Sequence, residues 1–178
     1  YLMIGTTAAS QKFNAVSPVD ADASFRLTWN GTVTHTAGYA AWNGTTGYAE
    51  THLTPSTSLT LNDTHIGYFT TTNNTTSNQR EMGTRATAGN DFLFISLNGG
   101  SGDFDGYVND GGFFDFSISQ TNGLWIANRA SSTTTQGYLN GVSQGTASVT
   151  SGSLSTHSIY LGAVPNSSGT AANFTNKN

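Results

Sequence analysis

The densest run of oxygen donors in the chain is Asp103-Phe-Asp-Gly-Tyr-Val-Asn-Asp110, with Asp115 close behind. Carboxylates and amide carbonyls crowded into a few residues are the hard ligands that calcium prefers. The offsets differ from those of an EF-hand loop, because Gly106 falls at the wrong position and no bidentate Glu closes the run. The same side chains also cap hairpin turns, which is the commoner use of Asp and Asn in a β-rich chain. Asp103, Asp105, Asn109 and Asp110 are therefore the candidate calcium ligands, with turn capping as the competing role. No other cofactor is implied.

Paired carboxylates could instead serve glycoside hydrolysis, where two acids face each other across a cleft. Glu50 and Glu81 are the only glutamates, and neither has an acidic neighbour two or four residues away. Asp103 and Asp105 do alternate, but Gly106 and the Asn109-Asp-Gly-Gly112 stretch place them near a loop. There water would keep both ionised, so an acid and base pair is not expected. Serine hydrolysis is disfavoured because a β-rich chain supplies no strand-to-helix turn for a nucleophile elbow. The four histidines, His35, His52, His65 and His157, lack the local spacing that brings two imidazoles to one metal.

Aromatic rings offer a different chemistry, since Trp and Tyr present an apolar face and a polar edge to a sugar ring. Trp42, Tyr48, Tyr68 and Trp125 are the rings considered for this role. Trp29 and Trp125 lie in alternating runs that read as buried strands, whereas Trp42 sits beside the Asn43-Gly44 turn and reads as exposed. Trp42 and Tyr48 are thus the candidate ligand-binding residues, for a glycan.

The elements that must position these residues are nearly all strands. Gly123 to Arg129, Gly137 to Gly145 and Ile159 to Ala163 are short apolar runs punctuated by turn chemistry. Asn140-Gly141 is the pair a two-residue hairpin needs, with positive φ at both central positions. Ala23 to Trp29 alternates, with Phe25, Leu27 and Trp29 on one face; Asn30-Gly31 turns the chain after it. Tyr39 to Glu50 reads as a hairpin closed by Asn43-Gly44 and Gly47, ended by Pro55 and a Ser/Thr cluster. Thr64 to Thr70 and Asp91 to Leu97 read as strands separated by the polar tract Thr71 to Asn78, the second dense enough to be central. Phe104 to Val108 and Phe113 to Ile118 flank a tight turn at Asn109 to Gly112. This makes about ten strands. Helical periodicity is nearly absent, with one short turn predicted near Pro18 to Ala23, where Asp20 and Asp22 suit a helix start.

Composition bounds the classes of function. The 178 residues fall within the roughly 100 to 200 that make one domain. Charged residues are only 9% of the chain, so Thr, Ser, Asn and Gly must cover the surface, while ten Phe, seven Tyr and three Trp can build a core. Six cations and a net charge of -4 provide no basic stripe for phosphates, which argues against nucleic acid as a partner. No apolar run approaches the roughly 20 residues that span a bilayer as a helix, so membrane insertion is not expected. Without cysteine there is neither a disulfide nor a thiolate metal site. The start at Tyr1 and the end just after the polar stretch Asn166 to Asn173 read as those of a fragment.

Several segments carry a family resemblance in order along the chain: Lys12-Phe-Asn14, Asp22-Ala-Ser-Phe-Arg-Leu27, Trp42-Asn-Gly-Thr-Thr-Gly-Tyr-Ala49, Leu61-Asn-Asp-Thr-His-Ile-Gly67, Asn128-Arg129, Tyr138-Leu-Asn-Gly141 and Ile159-Tyr-Leu-Gly-Ala163. Together the chain resembles the concanavalin A-like, laminin-G-like jelly-roll domains common among structural proteins of tailed bacteriophages. The resemblance implies a single all-β, two-sheet antiparallel sandwich with very little helix, lacking a last strand and short helix beyond Asn178. It supplies no catalytic motif. The expected function is that of a non-enzymatic virion structural protein, a capsid decoration, head fibre or tail appendage, assembled in the host cytoplasm and displayed on the particle surface. Its expected partners are other virion proteins, further copies of itself and a surface glycan. A carbohydrate-binding module of a secreted polysaccharide-active enzyme is the alternative.

Overall fold

The structure is a computed structural model, and it describes residues 1–73, 79–86, 89–97, 102–112 and 114–178. The strands, in chain order, are β1 (Thr28–Asn30), β2 (Val33–Thr36), β3 (Tyr39–Trp42), β4 (Tyr48–Glu50), β5 (Thr64–Thr70), β6 (Met82–Thr84), β7 (Phe92–Leu97) and β8 (Asp103–Asp110). They continue as β9 (Phe114–Ser117), β10 (Gly123–Arg129), β11 (Thr134–Leu139), β12 (Val142–Ser148), β13 (Tyr160–Leu161), β14 (Val164–Pro165) and β15 (Ala171–Ala172). Every pairing is antiparallel. A seven-stranded sheet, β1-β4-β13-β6-β7-β8-β9, faces a four-stranded sheet, β12-β11-β10-β5, and β2-β3 and β14-β15 form two small ribbons. The chain is an all-β sandwich.

Burial follows from side-chain alternation. In β5, Thr64, Ile66, Tyr68 and Thr70 point inward while His65, Gly67 and Phe69 point out. Between the sheets Ile66, Leu93, Ile95, Leu97, Phe104, Val108, Phe114, Trp125 and Ala127 pack as the main core. β7 is flanked by β6 and β8, which explains its continuous apolar run. The β11–β12 hairpin turns on Asn140 at φ 50 and Gly141 at φ 80, as the Asn-Gly pair predicts. Asn140 also ties that turn to β10, accepting from the Leu124 N–H at 2.9 Å and donating its own N–H to the Leu124 carbonyl at 2.8 Å.

Other expectations need correction. The strand expected from Ala23 to Trp29 begins only at Thr28, because a 3-10 turn at Asp22–Ser24 ends with Phe25 at φ 57, its N–H bonded to the Asp22 carbonyl. That turn lies at the end of the stretch where a helix start was expected. The two arms of Tyr39 to Glu50 do not pair with each other: β3 joins β2 and β4 joins β1. Asn43 Oδ1 accepts the N–H groups of Thr45, Thr46 and Gly47, building a wide loop in place of a hairpin turn. Asn109 and Asp110 belong to β8, not to a turn. Phe92 pairs with Asp110 and Leu93 with Val108, so Asn109, at φ 57, is the extra residue of a β-bulge. Phe113 and, within the Thr71 to Asn78 tract, residues 74–78 lie outside the described residues.

Two short helices were not read from the sequence. α1 (Ala8–Gln11) is capped by Thr7, whose hydroxyl accepts from the Ser10 N–H while Ser10 Oγ returns to the Thr7 N–H. Ser at that third position replaces the Glu or Gln that makes a capping box legible. α2 (Pro55–Ser58) opens with Pro at its first position, where a missing N–H costs nothing.

Candidate functional site

The four-stranded sheet covers only part of the larger one. Beyond its edge strand β5, the surface of β13 and β4 is roofed by β3 and the chain start, through a second core of Leu27, Ala40, Trp42, Ala49 and Leu161 with Met3 against it. Gln11 fixes this roof: its Nε2 donates to the carbonyls of Gly5 at 3.0 Å and Thr36 at 2.7 Å, and its Oε1 meets His35 Nδ1 at 2.7 Å. Trp29 Nε1 adds a bond to the Ala8 carbonyl at 2.9 Å. Between roof and β5 runs a groove.

One end of the groove is a cavity of about 440 Å³ lined by Tyr39, Trp42, Tyr68, Phe69 and Leu161 among others. It continues along β5 as a cavity of about 270 Å³ that reaches His65, Ile66, Leu93 and Ile159. Tyr1, Gly67 and Met82 line both. No Asp, Glu, Lys or Arg lines either one. A volume of this size with mostly apolar walls falls in the range of small-molecule and peptide sites.

Trp42 stands in this wall but is only 6% exposed, whereas Trp29 is half-buried, the reverse of the expected order. The Asn43 loop sends β3 over the second core, and Gly162, at φ +81, lets its backbone approach the Trp42 ring where a Cβ would sit 2.5 Å away. Trp42 Nε1 donates to Tyr68 Oη at 3.0 Å inside the protein. Burial first, and then the negative Glu81, push the Tyr68 hydroxyl well above its ordinary pKa, partly opposed by the Trp42 bond. Trp125 is fully buried, with Nε1 on the Thr121 carbonyl at 2.8 Å. Tyr48 is not in the groove. It packs on Tyr160 at 4.9 Å and Phe174 at 6.2 Å between ring centres. Trp42 and Tyr48 are thus not brought together.

The candidate calcium ligands divide between two places. Asp103 and Asp105 alternate on β8, and β9 sets Asp115 opposite Asp105 and Ser117 opposite Asp103. Their place is mid-sheet, between β7 and β9, which corrects the loop expected there. Desolvation, then Asp115 and Asp103, push Asp105 up to about 6, with Arg80 opposing. So Asp105 is not the fully solvated carboxylate the sequence suggested. Asp103 accepts from Ser117 Oγ at 3.3 Å.

At the other end of β8, Asp110 turns inward to an ion pair with Arg129, both side chains being buried. Arg129 also donates to the carbonyls of Val108 and Val149, stitching the two sheets together. Burial raises Asp110 to about 6 against the pull of Arg129. Asn109 Nδ2 donates to the Leu61 carbonyl at 3.0 Å. Among the described residues no group of three or more His, Cys, Asp or Glu is placed to hold a metal ion. The four histidines stay apart: His35 on Gln11, His52 beside Thr28 and Asp22, His65 facing out from β5, and His157 near the Ser167 carbonyl.

Two features were missed. Gly141-Val-Ser-Gln-Gly145 does spell the letters of a nucleophile elbow, but it lies in the β11–β12 hairpin with Ser143 exposed on a strand and no helix after it. Glu81 and Lys177 form a fully buried ion pair that no local spacing could signal. Compared with protein families, curated proteins and solved structures, the chain matches none.

Proposed function

We propose that the chain is a non-enzymatic structural domain of a tailed-bacteriophage particle, a concanavalin A-like jelly roll that contacts neighbouring virion proteins in repeated copies on the particle surface. One observation carries this reading. Phe69, 62% exposed, lies directly across from Leu124, 39% exposed, on the outer face of the four-stranded sheet beside the groove. An exposed apolar pair next to an open sheet edge is the kind of surface that protein contacts use. Catalysis has less support, because Glu81 and Asp110 are tied to Lys177 and Arg129 and the Asp105 cluster lines neither cavity.

The test is immunogold labelling of phage particles from a lysate that makes this chain, together with light scattering on the purified protein. Label on particles and species larger than a monomer support the proposal. A freely secreted monomer absent from particles overturns it. The aromatic walls of the groove, Tyr39, Trp42 and Tyr68, favour a second reading, a carbohydrate-binding module of a secreted polysaccharide-active enzyme. Glycan-array binding by that monomer would select it.

A further inference from the structure

β5 is an edge strand, hydrogen-bonded to β10 alone. Its pairing with β10 keeps register through all seven residues, and it carries no Pro, Lys or bulge. Those are the devices that ordinarily blunt an edge. Among the described residues, no backbone group of another element bonds to Thr64–Thr70 on the outer side. The groove runs along this bare edge from His65 to Thr71, about 20 Å of extended chain. The apolar side chains of Met82, Leu93, Ile159 and Leu161 line it beside Ile66 and Tyr68 of β5 itself.

We propose that this groove receives one extended, uncharged peptide segment of a partner protein, which adds to β5 as a fifth strand of the β12-β11-β10-β5 sheet. Backbone groups on the outer side of β5 supply the hydrogen bonds, and alternate apolar side chains of the peptide settle on Met82 and Leu161. Charge selects the occupant: with no Asp, Glu, Lys or Arg in the lining, a charged strand would lose its hydration and gain no partner, while a neutral one loses nothing. Width selects it too. The walls made by Tyr1–Met3 and Ala37–Tyr39 leave room for a single strand and keep the edge of a second complete sandwich away. This deepens the reading of the chain as a protein-contact domain by naming the form of its partner.

The experiment titrates the purified chain with the blocked peptide Thr-Val-Thr-Ile-Thr-Val-Thr, followed by amide NMR and hydrogen exchange. Saturable binding is expected, with the outward amides of Thr64–Thr70 slowed at least about tenfold. Replacing two central peptide residues by Pro, which removes N–H donors, should weaken binding by about tenfold or more. The variant Ala37→Trp, at an exposed wall position, should lose binding while melting as the parent does. Absent binding, equal binding of the Pro peptide, or protection away from β5 would overturn the inference. Failure here with particle labelling intact sinks the strand mode alone, whereas an unlabelled, glycan-binding monomer sinks the contact-domain reading whatever the peptide does.

Discussion

Lys177 Nζ lies 2.9 Å from Glu81 Oε1, and both side chains are completely buried. The remaining capacity of each group is used: Nζ also donates to the Leu97 carbonyl at 3.1 Å, and Glu81 Oε2 accepts the Leu97 N–H at 2.6 Å. Burial raises the Glu81 pKa and the Lys177 ammonium opposes it. The pair anchors the end of the chain to β6 and β7. Removing one partner leaves a buried charge without compensation, so Glu81→Gln or Lys177→Met should each cost about 3 to 5 kcal/mol in urea unfolding. The double replacement Glu81→Leu with Lys177→Met should recover most of that loss. A double variant as unstable as the singles would show that shape, not charge, holds this position.

The Asp105 cluster predicts a pH dependence of stability. Asp105 binds its proton up to about pH 6 in the folded protein and to about 3.8 in the unfolded chain. Between those values the folded state holds the extra proton, so stability is greatest below about 3.8 and falls as pH rises to 6. The carboxylate is partly solvated, and after allowance for screening the loss is about 1 kcal/mol. Asp105→Asn should flatten this part of the profile and raise the melting temperature at pH 7 by about 2 to 4 °C. Calorimetric scans from pH 4 to 7.5 read both effects. An unchanged slope in the variant would assign the titration to another group.

Local chemistry made much of the sandwich legible. Thr64 to Thr70 alternates cleanly, Asp91 to Leu97 is uniformly apolar, and Asn140-Gly141 has a single economical backbone solution. Each of these signals is complete within a few residues. What escaped was long-range. Trp42 faces inward because β3 leaves β4 to join β2, and because Gly162, far along the chain, makes room for its ring. Asp103 and Asp110 share a strand, yet the bulge at Asn109 sends the second into the sandwich toward Arg129. The groove belongs to no motif: it exists because the smaller sheet stops at β5 before the larger one ends at β1.

Two glycines with nearly equal φ should respond differently to a methyl group. Gly141, at φ +80, has nothing within 4 Å of its missing Cβ, so Gly141→Ala adds only the left-handed backbone penalty of about 1 kcal/mol. Gly162, at φ +81, would set its Cβ 2.5 Å from the Trp42 ring and adds overpacking of about 1 to 3 kcal/mol. Denaturant midpoints should therefore fall further for Gly162→Ala, and only that variant should alter the near-ultraviolet signal of Trp42. Equal midpoints would mean that the second core yields without cost.

The bond from Trp42 Nε1 to Tyr68 Oη spans the groove from roof to edge strand, and its 3.0 Å length makes it a direct link between β3 and β5. Tyr68→Phe removes the acceptor and leaves a buried indole N–H unsatisfied, which should cost about 1 to 3 kcal/mol. Trp42→Phe removes the donor and much ring volume, so it should be more costly, at about 2 to 4 kcal/mol. In the double variant no polar group is stranded, and the cycle should return a favourable coupling of about 0.5 to 1.5 kcal/mol. Urea unfolding of the four proteins measures it. With the link cut, amides of β5 should also exchange faster than those of β11, which lies between β10 and β12. Zero coupling together with unchanged exchange would show that β3 and β5 are held by packing alone, and that the groove does not depend on this bond for its width.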